Sequence, residues 1–97
     1  MSFELIFTPE AEETFDAVIT QLQQRWGEKF VDKFEKRVSD CLDTIANTPF
    51  IYPVTEENQG IRKCILHKTC SMLYKVDEHK IIIICFWDNR QEPLGIF

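Results

Sequence analysis

The spacing of hydrophobic positions changes once along the chain. Between residues 9 and 47 they recur every three or four positions, as in amphipathic helices, and from Ile61 onwards they alternate, as in strands. A short apolar segment, residues 3–7, precedes the helices. The pattern predicts an α+β domain: an N-terminal strand, an antiparallel two-helix hairpin and a three-stranded antiparallel meander, with the helices packed on one face of the sheet.

Residues with known capping preferences mark the helix ends. Thr8 can cap the first helix with Pro9 at its first position, Gly27 is placed to end it, and Asn47-Thr48-Pro49 ends the second. Each helix carries one apolar stripe. The first stripe contains Phe15, Val18, Ile19, Leu22 and Trp26, and the second contains Phe30, Val31, Phe34, Val38, Cys41, Leu42 and Ile45.

The predicted strands cover residues 61–67, 69–76 and 80–87, after a proline-containing loop at 48–60. In the last strand, regular alternation puts Ile81, Ile83, Cys85 and Trp87 on one face and Ile82, Ile84 and Phe86 on the other. Both faces are apolar, so both should be covered. The helical hairpin can cover one face, and the other needs the loop, the C-terminal tail or another chain.

Composition and charge restrict the function. The 97 residues suit one domain, 44% hydrophobic and 28% charged, with no membrane-length apolar stretch and no basic N-terminal signal, so we expect a cytoplasmic protein. Residues 1–59 carry 5 bases and 12 acids, a net of −7, and residues 60–97 carry 6 bases and 4 acids, a net of +2, which sum to −5. This acidity argues against a strong nucleic-acid binder.

The four cysteines lie in apolar stretches and form no CxxC pair, which favours buried, reduced thiols. Cys64 and His67 would point to opposite faces of a strand, so we expect no metal site. Nothing in the sequence indicates a cofactor.

The most hydrophobic strand ends in the polar cluster Asp88-Asn89-Arg90, which should emerge at the rim of the sheet. In an antiparallel meander the end of one strand lies beside the start of the next, so Arg62 could lie near Arg90. Arg62, Arg90 and Lys63 could hold a phosphate, and His67 or His79 could move a proton.

The chain resembles the RelE/ParE toxin superfamily of type II toxin–antitoxin modules, which includes plasmid-stabilisation proteins. The resemblance rests on the order of elements, on TPEAEETFDAVITQL in the first helix, on GIRK at 60–63, on SMLYKV at 71–76 and on the closing DNRQEP. It covers nearly the whole of 1–97. It implies a growth-inhibiting toxin neutralised by an extended antitoxin, with either DNA gyrase (ParE-like members) or ribosome-bound mRNA (RelE-like members) as the target.

Carried over by position, Arg62 and Arg90 match the family's arginines, and in a ribonuclease they would act with His67. Binding candidates for the target or the antitoxin are Arg62, Lys63, Tyr74, Trp87, Asp88 and Arg90. The tail QEPLGIF has neither the tyrosine nor the histidine with which the ribonucleases usually end, and the chain is acidic. We therefore expect a ParE-like inhibitor without a catalytic centre, and keep a ribosome-dependent endoribonuclease, a non-toxic binding module and a homodimer as alternatives.

Overall fold

The computed structural model describes residues 3–88, and within that range it contains a four-stranded sheet with two helices on one face. The elements are β1 (Glu4–Phe7), α1 (Pro9–Trp26), α2 (Glu28–Asn47), β2 (Arg62–His67), β3 (Cys70–Asp77) and β4 (Lys80–Asp88). The strand order is β1-β4-β3-β2, with β1 parallel to β4 and the other pairs antiparallel. The predicted α+β class, element order and meander are confirmed.

The start of α1 and the turn into α2 form as their residues suggest. The Thr8 hydroxyl accepts the Ala11 amide proton at 3.0 Å, and Pro9 occupies the first position, where a missing donor is not needed. Gly27 alone separates the helices and has φ of 88°, a left-handed value that an L side chain rarely adopts. A single glycine therefore reverses the chain into the hairpin.

Side chains at the start of α1 form hydrogen bonds with backbone groups on the edge of β4. Strand β1 pairs with β4 only from Lys80 to Ile83. Beyond it, the Thr8 hydroxyl donates to the Ile84 carbonyl at 2.8 Å, and the Phe86 amide donates to the Thr14 hydroxyl oxygen at 2.9 Å. These bonds replace the missing strand partner and fix α1 along the C-terminal half of β4.

The main core lies between the helices and the sheet. It contains Ala11, Phe34, Val38, Cys41, Ile45, Cys64, Leu66, Cys70, Met72, Tyr74, Ile81, Ile83 and Phe86. Trp26, which the predicted stripe includes, is 61% exposed. It is the last residue of α1, where the chain reverses, and its ring stacks on Phe30 at 5.6 Å between centroids and not on the sheet.

A β-bulge in β4 overturns the predicted assignment of faces. Tyr74 pairs with Ile83 and Leu73 with Cys85, so Ile84 is an additional residue on β4. Phe86 consequently lies against the helices with Ile81 and Ile83, while Cys85 lies on the opposite face. The regular alternation that places Cys85 with Ile83 is wrong beyond this bulge.

The face of the sheet away from the helices is closed at its centre by the chain itself. Ile61, Leu73 and Cys85 form a second cluster there with exposures of 6%, 0% and 1%, bordered by the half-buried Ile84 and Trp87. The sequence analysis considered the loop, the C-terminal tail or another chain as the cover of this face. Another chain is not needed at the centre of the face.

Strand β2 is an edge strand whose free edge is covered in two ways. Val54 forms an antiparallel bridge with Arg62 at one end. At the other end, the Arg37 guanidinium on α2 donates to the carbonyls of Leu66 and Ile65 at 3.3 and 3.5 Å. These contacts protect the edge from pairing with another strand.

Two of the cysteines meet in the core. Cys41 on α2 and Cys64 on β2 both point into the main core with their sulfurs in contact, but their Cα atoms are 7.3 Å apart, farther than an ordinary disulfide spans, so reduced thiols stay the prediction. Packing of α2 on β2 brings them together across 23 residues of sequence, which spacing alone does not reveal. Cys70 and Cys85 are free and buried.

Neither described helix has the length and apolar character to cross a membrane. Among residues 3–88, no group of three or more His, Cys, Asp or Glu side chains is arranged to hold a metal ion.

Candidate functional site

Strand register divides the predicted site residues into two groups. Arg62 lies opposite Tyr74, whereas His67 lies opposite Cys70, which in turn lies opposite Asp88. His67 follows Arg62 by five positions along the extended β2, about 16 Å along the strand. Arg62 and Tyr74 therefore belong to one region of the sheet, and His67 and Asp88 to the rim at the other end.

The guanidinium of Arg62 holds the loop before β2. Its Nη1 atom donates to the carbonyls of Tyr52 at 2.6 Å and Phe50 at 3.3 Å, and its Cζ atom lies 5.0 Å from the centroid of the Phe50 ring. Charged donors make stronger bonds to carbonyls than neutral ones, and the ring adds a cation–π contact. We call residues 49–55 the strap, because Arg62 binds it across the end of the sheet.

Tyr74 and Lys63 contribute to the same attachment. Tyr74 is fully buried and its hydroxyl donates to the Pro49 carbonyl at 2.8 Å, so its ring is not accessible to a partner. Burial raises the pKa of Tyr74 to about 12, partly offset by the positive charge of Arg62, which keeps the phenol protonated as a donor. The backbone amide of Lys63 donates to the Pro53 carbonyl at 3.1 Å.

At the rim, the imidazole of His67 is held by its neighbours. Its Nδ1 atom accepts the Thr69 amide proton at 3.3 Å, and its ring meets Phe30 edge-on at 5.3 Å between centroids. Thr69 and Phe30 therefore fix the orientation of the His67 ring.

Two neighbouring crevices open between α1 and the end of β4. The smaller, about 40 Å³, is lined by Val18, Gln21, Leu22, Phe34, His67, Thr69, Cys70 and Asp88. The larger, about 250 Å³, is lined by Glu10, Thr14, Ala17, Val18, Gln21, Cys85, Phe86, Trp87 and Asp88.

The carboxylates in the crevice lining determine which ligand groups can bind there. Glu10 of α1 and Trp87 and Asp88 of β4 all line the larger crevice. Two carboxylates disfavour a phosphate by like-charge repulsion and favour a cationic or hydrogen-bond-donating group. In both crevices the thiols are unreactive, because burial raises the pKa of Cys70 and of Cys85 to about 12.

Arg90, which the sequence places two residues after Asp88, lies outside the described residues. The predicted proximity of Arg62 and Arg90 therefore stays a prediction, as do the roles assigned to both arginines.

Sequence reasoning missed the aromatic contacts at the rim. Trp26, Phe30 and His67 form a continuous row, with Trp26 stacked on Phe30 and Phe30 edge-on to His67. The four-residue spacing of Trp26 and Phe30 was a local signal for the first contact. No local signal points to the second, because it joins α2 to β2.

Comparison with known proteins agrees with this architecture. The profile of the family described as "ParE toxin of type II toxin-antitoxin system, parDE" matches residues 5–93. The chain belongs to this family. No curated protein sequence matches the chain.

Solved structures of toxins share the fold. A chain of the chromosomal ParDE toxin–antitoxin system of P. aeruginosa superposes with a TM-score of 0.74 at 17% identity, covering 90% of this chain and 96% of that one. The YoeB dimer of Staphylococcus aureus gives 0.63 at 17% identity, with 90% and 97% covered. A chain of the E. coli DinJ-YafQ toxin–antitoxin complex gives 0.62 at 9% identity, with 91% and 93% covered.

Proposed function

We propose that residues 1–97 form one toxin domain of a type II toxin–antitoxin module, which inhibits growth by binding a cellular target and is neutralised by a cognate antitoxin. The observation that carries this proposal is the family match over residues 5–93. Two solved structures with this fold come from complexes described as toxin–antitoxin assemblies, YoeB-YefM and DinJ-YafQ. DNA gyrase is the candidate target.

The geometry supports a binding toxin over a ribonuclease. Cleavage by a 2′-hydroxyl needs an acid, a base and cations around one phosphate. Arg62 and His67 are about 16 Å apart along β2. The Arg62 Nη1 atom donates to strap carbonyls, and the rim carries the carboxylates of Glu10 and Asp88.

The test is inducible expression of the chain in a bacterium, with and without the protein encoded by the adjacent gene. We expect growth arrest that co-expression of the cognate antitoxin relieves. Plasmid topology and mRNA integrity are followed in the same cells. Loss of negative supercoiling with intact mRNA supports a gyrase-directed toxin.

Two other outcomes contradict the proposal. Codon-positioned mRNA cuts, abolished by Arg62→Ala or Arg90→Ala but not by the control Lys75→Ala, would establish the ribonuclease alternative. Normal growth at every expression level, with tight antitoxin binding, would establish a non-toxic binding module. Sedimentation of the purified chain decides between monomer and homodimer; the S. aureus YoeB structure is described as a dimer.

A further inference from the structure

A cleft that the proposed function does not use opens between the first half of α1 and the second half of α2. It has a volume of about 410 Å³. We call it the hairpin cleft, and its lining residues are Phe7, Ala11, Glu12, Phe15, Asp16, Val38, Leu42 and Phe86. The volume lies in the range of roughly 300–1,000 Å³ that is typical of small-molecule sites.

The hairpin cleft reaches the main core, and part of its lining is aromatic. Ala11, Val38 and Phe86 are buried members of that core. The rings of Phe15 and Phe86 are 5.1 Å apart between centroids and tilted by 58°. Phe7, at the end of β1, is 40% exposed. An aromatic or alkyl body of a ligand would bury apolar surface against these rings.

Two acidic residues of α1 also line the hairpin cleft. Glu12 and Asp16 are both exposed, and four positions separate them, about one helical turn. Two like charges at this spacing destabilise a helix slightly, so a bound cation would relieve their repulsion. The helix dipole stabilises an acid in the first turn, such as Glu12, but its effect does not extend to Asp16.

No base of the helices offsets these two carboxylates. Both helices lie wholly within the described residues, and none of their five bases lines the hairpin cleft: Arg25, Lys29, Lys33, Lys36 and Arg37. Arg37 donates to carbonyls of β2, and Lys36 pairs with Asp40 at 3.9 Å. Lys80 of β4 lies opposite Glu4, at the far end of β1 from the cleft. The charge of the lining therefore favours a positively charged ligand.

The extent of the hairpin cleft suits a compact ligand. Its lining runs from Ala11 to Asp16 on α1 and from Val38 to Leu42 on α2. At the rise of an α-helix these segments are about 7.5 Å and about 6 Å long. A helix docked in a groove places its apolar anchors over about seven residues, roughly 10 Å. The cleft is shorter than such a helix requires.

We infer that the hairpin cleft binds an amphipathic amine, a small molecule with an aromatic or alkyl body and one ammonium group. The body would lie against Phe15, Leu42 and Phe86, and the ammonium group would face Glu12 and Asp16. A mostly apolar cavity with a few polar groups that set the orientation is the usual form of a ligand site. The inference does not depend on the proposed toxin function, because it uses only the lining of this cleft.

Three probes with one apolar body test the inference: phenylbutylamine, phenylbutanol and phenylbutyrate. Each is titrated into the isotope-labelled full chain, and binding is followed by two-dimensional amide NMR. We expect the amine to bind with a dissociation constant on the order of 1 mM, the alcohol about threefold more weakly and the acid about tenfold or more weakly. The shifted amides should cluster at 11–16 and 38–42, and added salt should weaken the amine alone.

Two pairs of variants remove equal charge at different places. Glu12→Gln with Asp16→Asn should weaken the amine by about fivefold or more and change the alcohol by less than about twofold. The control pair, Glu13→Gln with Asp43→Asn, removes exposed carboxylates that do not line the cleft and should change the amine by less than about twofold. The amide spectra also establish that each variant is folded.

A further pair of variants tests the apolar contacts. Phe7→Ser removes an exposed ring from the cleft and should weaken all three probes by about threefold. Ile65→Ser removes an exposed apolar side chain of β2 outside the cleft and should change none of them by more than about twofold.

Four results would overturn the inference. They are an absence of saturable shifts with the amine, equal affinity for the amine and the acid, equal weakening by the two charge pairs, and shifts centred on the crevices between α1 and β4. Two others would replace the occupant. Self-association abolished by Phe7→Ser, seen by sedimentation, would make it a second copy, and tighter binding of a helical Leu- and Lys-containing peptide at the same amides would make it a protein segment.

Discussion

Arg62 and Tyr74 lie opposite each other on β2 and β3, and each donates a hydrogen bond to a carbonyl of the strap: Arg62 to Tyr52 at 2.6 Å and Tyr74 to Pro49 at 2.8 Å. The sequence suggested both as residues that meet a partner directly. In the structure they anchor a segment that is itself exposed. Both side chains therefore hold the strap, and the recognition role predicted for Arg62 stays a prediction.

Replacing Tyr74 by Phe tests this anchoring. The variant keeps the buried ring and removes the hydroxyl, leaving the buried Pro49 carbonyl without its donor. We expect a loss of about 1–2 kcal/mol in the free energy of unfolding, measured by urea denaturation. The neighbouring exposed Lys75→Met should change it by less than about 0.5 kcal/mol. Equal stability of wild type and Tyr74→Phe would show that the bond does not hold the strap.

Two aromatic residues of the hairpin test how the helices are docked. Phe34 is 4% exposed and packs with Phe15 at 6.3 Å between ring centroids. Phe34→Ala should cost about 3–5 kcal/mol of unfolding free energy, because it leaves a cavity in the main core. Trp26→Ala, at 61% exposure, should cost less than about 1 kcal/mol. A larger loss for Trp26 than for Phe34 would contradict the docking described.

The cysteines can be counted by alkylation. In the purified chain unfolded by guanidinium, a maleimide should label all four cysteines without prior reduction, because the Cα atoms of Cys41 and Cys64 are too far apart for an ordinary disulfide. A reduced sample serves as the control and should give the same count. Labelling of only Cys70 and Cys85 before reduction would instead establish a Cys41–Cys64 disulfide.

Stability should fall in alkaline solution. Burial raises the pKa of Cys70 and Cys85 from 9.0, and that of Tyr74 from 10.0, to about 12 in each case. At pH values between the ordinary pKa and the raised pKa of each group, the unfolded chain has released a proton that the folded chain retains. The stabilisation is therefore complete below about pH 9 and is lost as the pH rises towards about 12.

Urea midpoints measured across that range test the alkaline effect. They should decrease steadily with pH, and a variant carrying Cys70→Ser, Cys85→Ser and Tyr74→Phe should show a smaller decrease. An increase of the wild-type midpoint with pH would contradict the assignment.

Local signals were enough for much of the fold. Thr8, Pro9 and Gly27 mark the ends of α1 by their own conformational preferences, so its predicted bounds hold. The faces of β4 could not be predicted beyond Ile83, because the bulge depends on the register with β3. The contact between Cys41 and Cys64 likewise requires the docked position of α2.

The contacts of the candidate site were less predictable than the helix bounds, because they also depend on how distant segments of the chain pack together. That Arg62 and His67 are far apart follows from their positions on one strand. That the Arg62 guanidinium binds the Tyr52 carbonyl depends on the path of the strap, which leaves no periodic pattern in the sequence.

The bulge at Ile84 means that β4 holds one residue more than the alternation between its two faces requires. A chain shortened by Ile84 alone would still place Ile83 and Phe86 under the helices and Cys85 on the opposite side, since each keeps its partner on β3. A change of length elsewhere in a strand ordinarily turns every later side chain over. The most hydrophobic strand of this protein thus contains a position where its length can change by one residue without exchanging inside and outside.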